Sequence, residues 1–582
     1  MEVHAAPAAA ARPLALDAPT LVHAFQYTAG RRADEIALRN PGDAVSITWR
    51  EYAGRVERIA AGLAALGVER GDAVGLMLLN RPEFHLLDTA TLHLGATPFS
   101  VYNTATPEQV AYQFANARNR VVVTERHFLP TVLAAQRLVP AVEQVVLIDG
   151  AEAGVMTLEQ LEGAGVSSFR FTETWQAVRP SDLATIIYTS GTTGPPKGVE
   201  LTHANAMAQC EASAERVPLT PGGQAMSYLP SAHVVDRWTC HWWASITHGF
   251  TVTSIGDMRT VILMLPGLRP TTWGGVPRIW EKLRHALVGQ GVEDPSALTE
   301  PARAELRARL GFDRVEHLGG GAAPMPIDVL DYFDALGLPI AEAWGMSETA
   351  GAGTSNPPGA ARYGTCGTAL PGVELQLAGD GELLVRGPIL MRGYRDDPAA
   401  TAAAIDDEGW LHTGDVAHLD DDGYVSIVDR KKELIINAGG KNMSPANIET
   451  ELVGASPLIA HAAAIGDRRP YVVALIALDP DAAVDFAAEH GIDDASVAAL
   501  AGDPALRQAV HDAIDAANAR LSRVERIKRF AILPEEWRAG GELVTPTLKL
   551  KRAAIALRYA AEIDALYSSG SGRFSPGHAP VR

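Results

Sequence analysis

Glycines, hydroxyls and one lysine crowd into the stretch Tyr188-Thr189-Ser190-Gly191-Thr192-Thr193-Gly194-Pro195-Pro196-Lys197-Gly198. Glycines let a backbone approach a ligand closely, hydroxyls and amides donate hydrogen bonds, and a lysine adds a cation, so the set suits a polyphosphate. The apolar run Leu183-Ala184-Thr185-Ile186-Ile187 comes just before it and reads as a buried strand entering a polar loop. Lys197 stands between Pro196 and Gly198, not between Gly and Ser or Thr, so this is not a Walker loop, and the prolines argue against a helix starting there. The plainer alternative is a flexible linker of ordinary Gly, Ser and Thr composition, which the length of the stretch and the strand before it disfavour.

A second cluster comes from Gly414-Asp415-Val416-Ala417-His418-Leu419 and Gly423-Tyr424-Val425-Ser426-Ile427-Val428-Asp429-Arg430. Asp422-Gly423 favours a two-residue hairpin turn. With those residues in the turn, Asp421 faces Tyr424, and counting outward sets Asp415 opposite Arg430. A carboxylate accepts bonds from both hydroxyls of a ribose, and a neighbouring arginine donates to the same sugar while keeping the carboxylate charged. A cross-strand surface ion pair is the alternative.

These residues need elements to position them. Thr48 with Glu51, and Thr106-Pro107 with Gln109, have the spacing of helix N-terminal capping boxes, and each predicted helix borders an apolar run, Ala73–Leu78 or Val121–Val123. Helix alternating with strand implies parallel sheets covered by helices. After about residue 360 the texture changes to short β runs broken by Gly, Asp and Pro, and Arg430-Lys431-Lys432-Glu433 then forms an exposed joint. The fold class expected is α/β: a large N-terminal domain of two layered α/β subdomains plus a small β-barrel-like subdomain, followed by a smaller, mobile α+β C-terminal domain. The boundaries are a disordered leader over 1–18, the N-terminal domain over 19–430 with its β-rich part at 361–430, the C-terminal domain over 431–567 and a disordered tail over 568–582.

At 582 residues the chain exceeds what one core supports, so more than one domain is required. A formal net charge of −19 repels a phosphate backbone and excludes nucleic acid as a partner of the chain as a whole. No apolar run approaches the ~18 residues of a membrane span. Three well-separated cysteines, Cys210, Cys240 and Cys366, fit neither a disulfide framework nor a zinc site, and the N-terminus does not read as a secretory signal, which points to the cytoplasm.

The loop at 188–198 resembles the signature Ser-Gly-Thr-Thr-Gly-x-Pro-Lys-Gly of the adenylate-forming superfamily of acyl-CoA synthetases, peptide-synthetase adenylation domains and luciferases, and the resemblance continues over nearly the whole chain. It implies an ATP and AMP site made of Thr189, Ser190, Gly191, Thr192, Thr193, Gly194 and Lys197, with Asp415 and Arg430 at the ribose. Gly319-Gly320-Gly321-Ala322-Ala323-Pro324 is similar to the family's adenine-binding strand and turn, which assigns Gly321, Ala322 and Ala323 to the base. Trp344-Gly345-Met346-Ser347-Glu348 resembles Tyr-Gly-x-Thr-Glu, where the ring lies on adenine, the hydroxyl meets the α-phosphate and the glutamate binds magnesium. Trp replaces Tyr and Ser replaces Thr here. Magnesium takes few protein ligands, so one glutamate suffices chemically.

Attack of a carboxylate on the α-phosphate brings two anions together, and a cation placed there lowers the barrier. Thr545-Pro546-Thr547-Leu548-Lys549-Leu550-Lys551-Arg552 resembles the family's final motif, which assigns that task to Lys549, with Lys551 as a neighbouring competitor and Leu548 standing where the family usually has Gly. By the same resemblance Lys432 is the hinge about which the C-terminal domain rotates, and Gly439, Gly440 and Lys441 line the path of the thiol. Thr193, Glu348 and His233 join Lys549 as catalytic candidates. The segments around Ser227–Arg237 and Gly275–Glu281 resemble long-chain acyl-CoA synthetases and put His233, Val234, Trp238 and Gly275 at the acyl pocket. A lone histidine is as often structural, and Trp238, Trp242, Trp243 and Trp273 could line an acyl tunnel but read more readily as core.

The resemblance thus implies an acid–thiol ligase that uses ATP, Mg2+ and coenzyme A to activate a medium- or long-chain fatty acid. Arg430 runs into Glu433-Leu434-Ile435 without the insertion usual in fatty acyl-AMP ligases, which favours coenzyme A over a carrier protein. Aryl or small acids, loading of a carrier protein, and a catalytically silent nucleotide sensor remain the alternatives. Peripheral membrane contact and a homodimer stay open among the partners.

Overall fold

The computed structural model describes residues 12–189, 195–436, 442–545, 548–568 and 578–580. Both capping boxes form. The Thr48 hydroxyl accepts from the Glu51 amide while the Glu51 carboxylate accepts from the Thr48 amide, opening the helix Trp49–Ala65. Thr106 and Gln109 do the same for Pro107–Ala117. Between these helices Ala73–Met77 is buried along its whole length, as a strand covered on both faces must be. It lies inside a parallel sheet ordered Thr97–Ser100, Ala73–Met77, Val121–Thr124, Gln144–Leu147, Met156–Thr157.

A second sheet pairs Gln224–Ser227, Thr251–Ser254, Ile36–Arg39 and Ser46–Thr48. A third begins with three parallel strands, Thr272–Gly275, His317–Gly321 and Ile340–Trp344, and ends in the antiparallel pair Thr354–Ser355 and Thr368–Ala369. The strand Leu183–Thr189 returns as Lys197–Thr202, so the polar loop joins two antiparallel strands and starts no helix. The β-rich part is an antiparallel sheet ordered Glu374–Leu377, Glu382–Arg386, Leu411–Leu419, Val425–Arg430.

The C-terminal domain is built on Val472–Leu478, seven buried residues flanked by Ile459–Ile465 and Ile527–Ile532. Alternation sorts its side chains: Val472, Ala474, Ile476 and Leu478 enter one apolar cluster, and Val473, Leu475 and Ala477 the other. Two terminal expectations are corrected. Against the disorder expected over 1–18, Leu14–Asp17 form a 3-10 turn that buries Ala15 and Leu16 in the main core. In the tail expected to lack structure, His578–Pro580 pair antiparallel with Ile527–Ile532; the ladder uses backbone groups, which leave no apolar periodicity to read.

The domains meet at Arg278, near the start of the helix Pro277–Gly289. Its guanidinium donates to the carbonyls of Ile459 (3.2 Å) and Ala460 (3.3 Å) and to the Asp479 carboxylate, which also caps Pro480–His490. Asp429 reaches the other way, accepting from the Ser444 hydroxyl (2.6 Å) and the Ala446 amide (3.1 Å).

Candidate active site

Asp415 and Arg430 are cross-strand partners, as the hairpin count requires, and Arg430 Nε donates to Asp415 Oδ1 at 2.7 Å. The turn itself differs from expectation. Leu419 pairs with Val425 and the Asp420 amide donates to the Tyr424 carbonyl, so the loop holds three residues and Asp420, not Asp421, faces Tyr424. Gly423, at φ 84°, takes the left-handed position that such a loop needs. A bulge at Val428 then restores the register before Asp415.

The Asp415 carboxylate is buried while Arg430 stays half-exposed, and Trp344 Nε1 donates to Asp415 Oδ2 at 2.8 Å. Burial raises the Asp415 pKa, against the opposing pull of Arg430, Trp344 and Lys549. Trp344 therefore holds a ribose candidate by its ring nitrogen, a contact that the adenine-stacking expectation did not contain. It ends the strand Ile340–Trp344, next to Gly321, where an added Cβ would lie 2.8 Å from the Ala343 carbonyl. Ala322 follows with φ 69°, a left-handed residue other than glycine of the kind that clusters at functional sites. Gly345 has no room for a side chain, since a Cβ would fall 2.0 Å from the Gly351 carbonyl. Beyond Met346, a 3-10 turn over Ser347–Thr349 buries Ser347 and Glu348.

Glu348 Oε1 accepts from the Tyr394 hydroxyl at 2.8 Å, and Oε2 has no hydrogen-bond partner among the described residues. Burial, reinforced by the Glu348 charge, raises the Tyr394 pKa and keeps the phenol a donor. No group of three His, Cys, Asp or Glu among the described residues is placed to hold a metal. One buried carboxylate with a spare oxygen fits magnesium, whose remaining ligands come from phosphate and water. The Tyr394 ring carries the Lys197 ammonium 4.6 Å from its centroid, and Thr189 pairs with Lys197 across the hairpin. Ser190, Gly191, Thr192, Thr193 and Gly194, and likewise Gly439, Gly440 and Lys441, lie outside the described residues.

From the C-terminal domain Lys549 enters the same cleft. Part of the residue stays exposed, yet its ammonium interacts with Arg430, Asp415, Glu433 and Glu348. Enclosure by the cleft and then the Arg430 charge lower its pKa, against the three carboxylates. Lys551 points elsewhere, donating to the Gly541 carbonyl at 2.9 Å. The turn that presents Lys549 puts Leu548 at φ 64°, which gives the family's preference for Gly there a steric reason. Arg552 binds Glu449 and Glu433 and so fastens this motif beside Lys432, which lies exposed in the turn after Arg430.

His233 caps the short helix Val234–Asp236, its Nδ1 accepting from the Val235 amide at 3.3 Å. Burial, with a smaller contribution from Lys549, pushes it down to about 4, so it is neutral at neutral pH. Val234 and Gly275 are buried, and a Cβ on Gly275 would sit 3.4 Å from the Tyr228 hydroxyl. Trp238 packs against Gly351, three residues past Glu348, whereas Trp242, Trp243 and Trp273 are core. The sequence reading missed Tyr394 and its supports Arg392, Arg395 and Glu200; its only signal was an aromatic between two arginines in Arg392-Gly393-Tyr394-Arg395.

The family described as AMP-binding enzyme matches residues 25–395, and that described as AMP-binding enzyme C-terminal domain matches residues 432–571. The protein fadD11 of Mycobacterium tuberculosis is 46% identical over 72% of this chain and 79% of its own. The long-chain-fatty-acid–CoA ligase FadD15 of Mycobacterium bovis is 34% identical over 90% of this chain and 92% of its own. Among solved structures, the anthranilate CoA ligase AuaEII bound to anthranoyl-AMP superposes with a TM-score of 0.75 at 20% identity, covering 95% of this chain and 99% of that one, a likeness of fold. With the first family match alone spanning more than half of its length, the chain belongs to the AMP-binding enzymes.

Proposed function

We propose that this chain is an AMP-forming fatty acid–CoA ligase: it joins a medium- or long-chain fatty acid to AMP with release of pyrophosphate, then transfers the acyl group to coenzyme A with release of AMP. The observation that carries this reading is the gathering of Asp415 with Arg430, Glu348 and the Lys549 ammonium in one cleft from distant segments. Asp415 and Arg430 bind the ribose, with Trp344 beside them, and Lys197 meets the outer phosphates. Lys549 stands where the acid's carboxylate and the α-phosphate bring negative charge together, and stabilises the charge that develops. Magnesium, when bound at Glu348, supplies further neutralisation of the polyphosphate. His233, neutral and beside Lys549, borders the path of the acyl group.

The joint at Lys431–Glu433 is a compact exposed turn, which suits the rotation that withdraws Lys549 and admits the thiol. Both relatives, at 46% and 34% identity, carry the words fatty-acid–CoA ligase in their names, which supports the acid. No helix among the described residues is long and apolar enough to cross a membrane. Cys210, Cys240 and Cys366 are all free thiols, in keeping with a reducing cytoplasm.

Acids of graded chain length, together with benzoates, should be compared for pyrophosphate release and thioester formation, with coenzyme A and a carrier protein as acceptors. Fatty acids with coenzyme A should give the highest kcat/KM. Turnover of benzoates alone, or thioester on the carrier protein alone, would overturn the assignment. Within the same reading, Asp415→Asn removes the charge that faces Arg430 and should weaken ATP binding roughly ten- to a hundredfold, the range for a lost charged hydrogen bond. Unchanged ATP affinity on titration would remove Asp415 from the ribose site.

A further inference from the structure

Lys197 and Glu348 carry opposite charges at the phosphate end of the cleft, yet they form no ion pair among the described residues, because Tyr394 stands between them. Its ring face meets the ammonium and its hydroxyl meets the carboxylate. Neither contact cancels a charge. A carboxylate beside Lys197 would neutralise the cation that a phosphate needs, whereas an aromatic face attracts it and leaves it charged. An arginine or lysine on Glu348 would likewise compete with a metal, whereas a phenol fixes one oxygen and leaves the other available.

Tyr394 is itself firmly held. It pairs with Val199 on the strand Lys197–Thr202, and its amide donates to the Thr401 hydroxyl at 2.8 Å. On either side of it Arg392 and Arg395 converge on the buried Glu200 carboxylate, Arg392 Nη2 at 2.6 Å from Oε2 and Arg395 Nη1 at 3.1 Å from Oε1. Arg395 also donates to the carbonyls of Asn116 and Ala117. A surface tyrosine with no task would not require a buried carboxylate and two arginines to fix its strand.

We propose that Tyr394 is a positioning residue that keeps Lys197 and Glu348 apart, seating the ammonium on its ring for the phosphates and aiming the carboxylate through its hydroxyl for the metal. This rests on the ligase reading of the same cleft. Tyr394→Phe keeps the ring and removes the hydroxyl; Tyr394→Leu removes both.

Calorimetric titration with ATP, once with excess chelator and once with magnesium, separates the two tasks without relying on turnover. Tyr394→Phe should bind metal-free ATP within about twofold of the unsubstituted protein and lose roughly tenfold of the affinity that magnesium adds. Tyr394→Leu should in addition lose roughly threefold in metal-free ATP affinity. Lys197→Met, at an exposed residue, should lose at least as much metal-free affinity, and combining it with Tyr394→Leu should add nothing further; the Tyr394→Phe arm stands even if Tyr394→Leu folds poorly. The proposal is overturned if Tyr394→Phe gains as much from magnesium as the unsubstituted protein, or if the Leu and Met losses simply add. Failure of the unsubstituted protein to bind ATP would instead sink the ligase reading.

Discussion

Replacing Lys549 by alanine is expected to lower acyl-adenylate formation by roughly 10²–10³-fold, the cost of removing one preorganised electrostatic partner from a transition state. ATP binding should largely survive, because Asp415, Arg430 and Lys197 remain. Thioester formation from preformed acyl adenylate should also survive, because that step does not bring the carboxylate and the triphosphate together. The two half-reactions should therefore separate, which a general loss of folding would not produce. The pH dependence follows from the same residue. Enclosure and the nearby Arg430 lower the pKa of Lys549, so its positive charge is lost at lower pH than that of a free lysine. Adenylation should fall as pH rises through that lowered value, while the thioester half-reaction lacks this limb. Pyrophosphate exchange undiminished in Lys549→Ala would refute the assignment and direct attention to Lys551, which in this conformation is engaged with Gly541.

Local rules were legible in the sequence because they act over three or four residues. The capping boxes at Thr48 and Thr106 follow from spacing alone and form as written. The opposition of Asp415 and Arg430 was legible for a less secure reason: a loop one residue longer than expected is offset by one extra residue at the Val428 bulge, so the count arrives correctly by two compensating departures. What the sequence did not reveal depends on contacts between distant segments. Tyr394 matters because a strand near residue 393 lies beside one near residue 199 and its hydroxyl reaches residue 348, and no spacing rule encodes that. The choice between Lys549 and Lys551 likewise turns on the left-handed backbone at Leu548, a conformation that leucine does not advertise. Tryptophan composition could not separate core from pocket, and Trp238 is distinguished only by its neighbour Gly351.

Breaking the buried charge cluster beside His233 is expected to have the largest effect on stability. Asp88 lies on the helix Pro82–His93, buried at every residue but Glu83, and accepts from the Arg237 guanidinium and from His241 Nε2 at 3.1 Å; the Asp88, Arg237 and His241 side chains are inaccessible. Arg237 also donates to the Ser100 hydroxyl at 3.0 Å and to the Ser231 carbonyl at 3.1 Å, and its guanidinium lies 5.2 Å from the centroid of the Phe84 ring. Burial alone would raise the Asp88 pKa, but the Arg237 charge and the His241 contact outweigh it and hold the carboxyl below its usual value. The pair's contribution is therefore present above the ordinary carboxylate range and is lost as pH falls through the lowered value. Asp88→Ala leaves a buried guanidinium without its counter-charge and should cost about 3–5 kcal/mol, measured by urea unfolding near neutral pH. Asp88→Leu combined with Arg237→Met removes both charges while keeping apolar volume, and should recover much of that loss, because the desolvation cost of the charges disappears with them. The Ser231 carbonyl lies two residues before His233, so the single variant should also loosen the acyl side of the cleft and raise KM for the acid more than KM for ATP. A loss under about 1 kcal/mol in Asp88→Ala would mean that water or a rearranged His241 satisfies Arg237, and that the cluster is not what holds this part of the core in place.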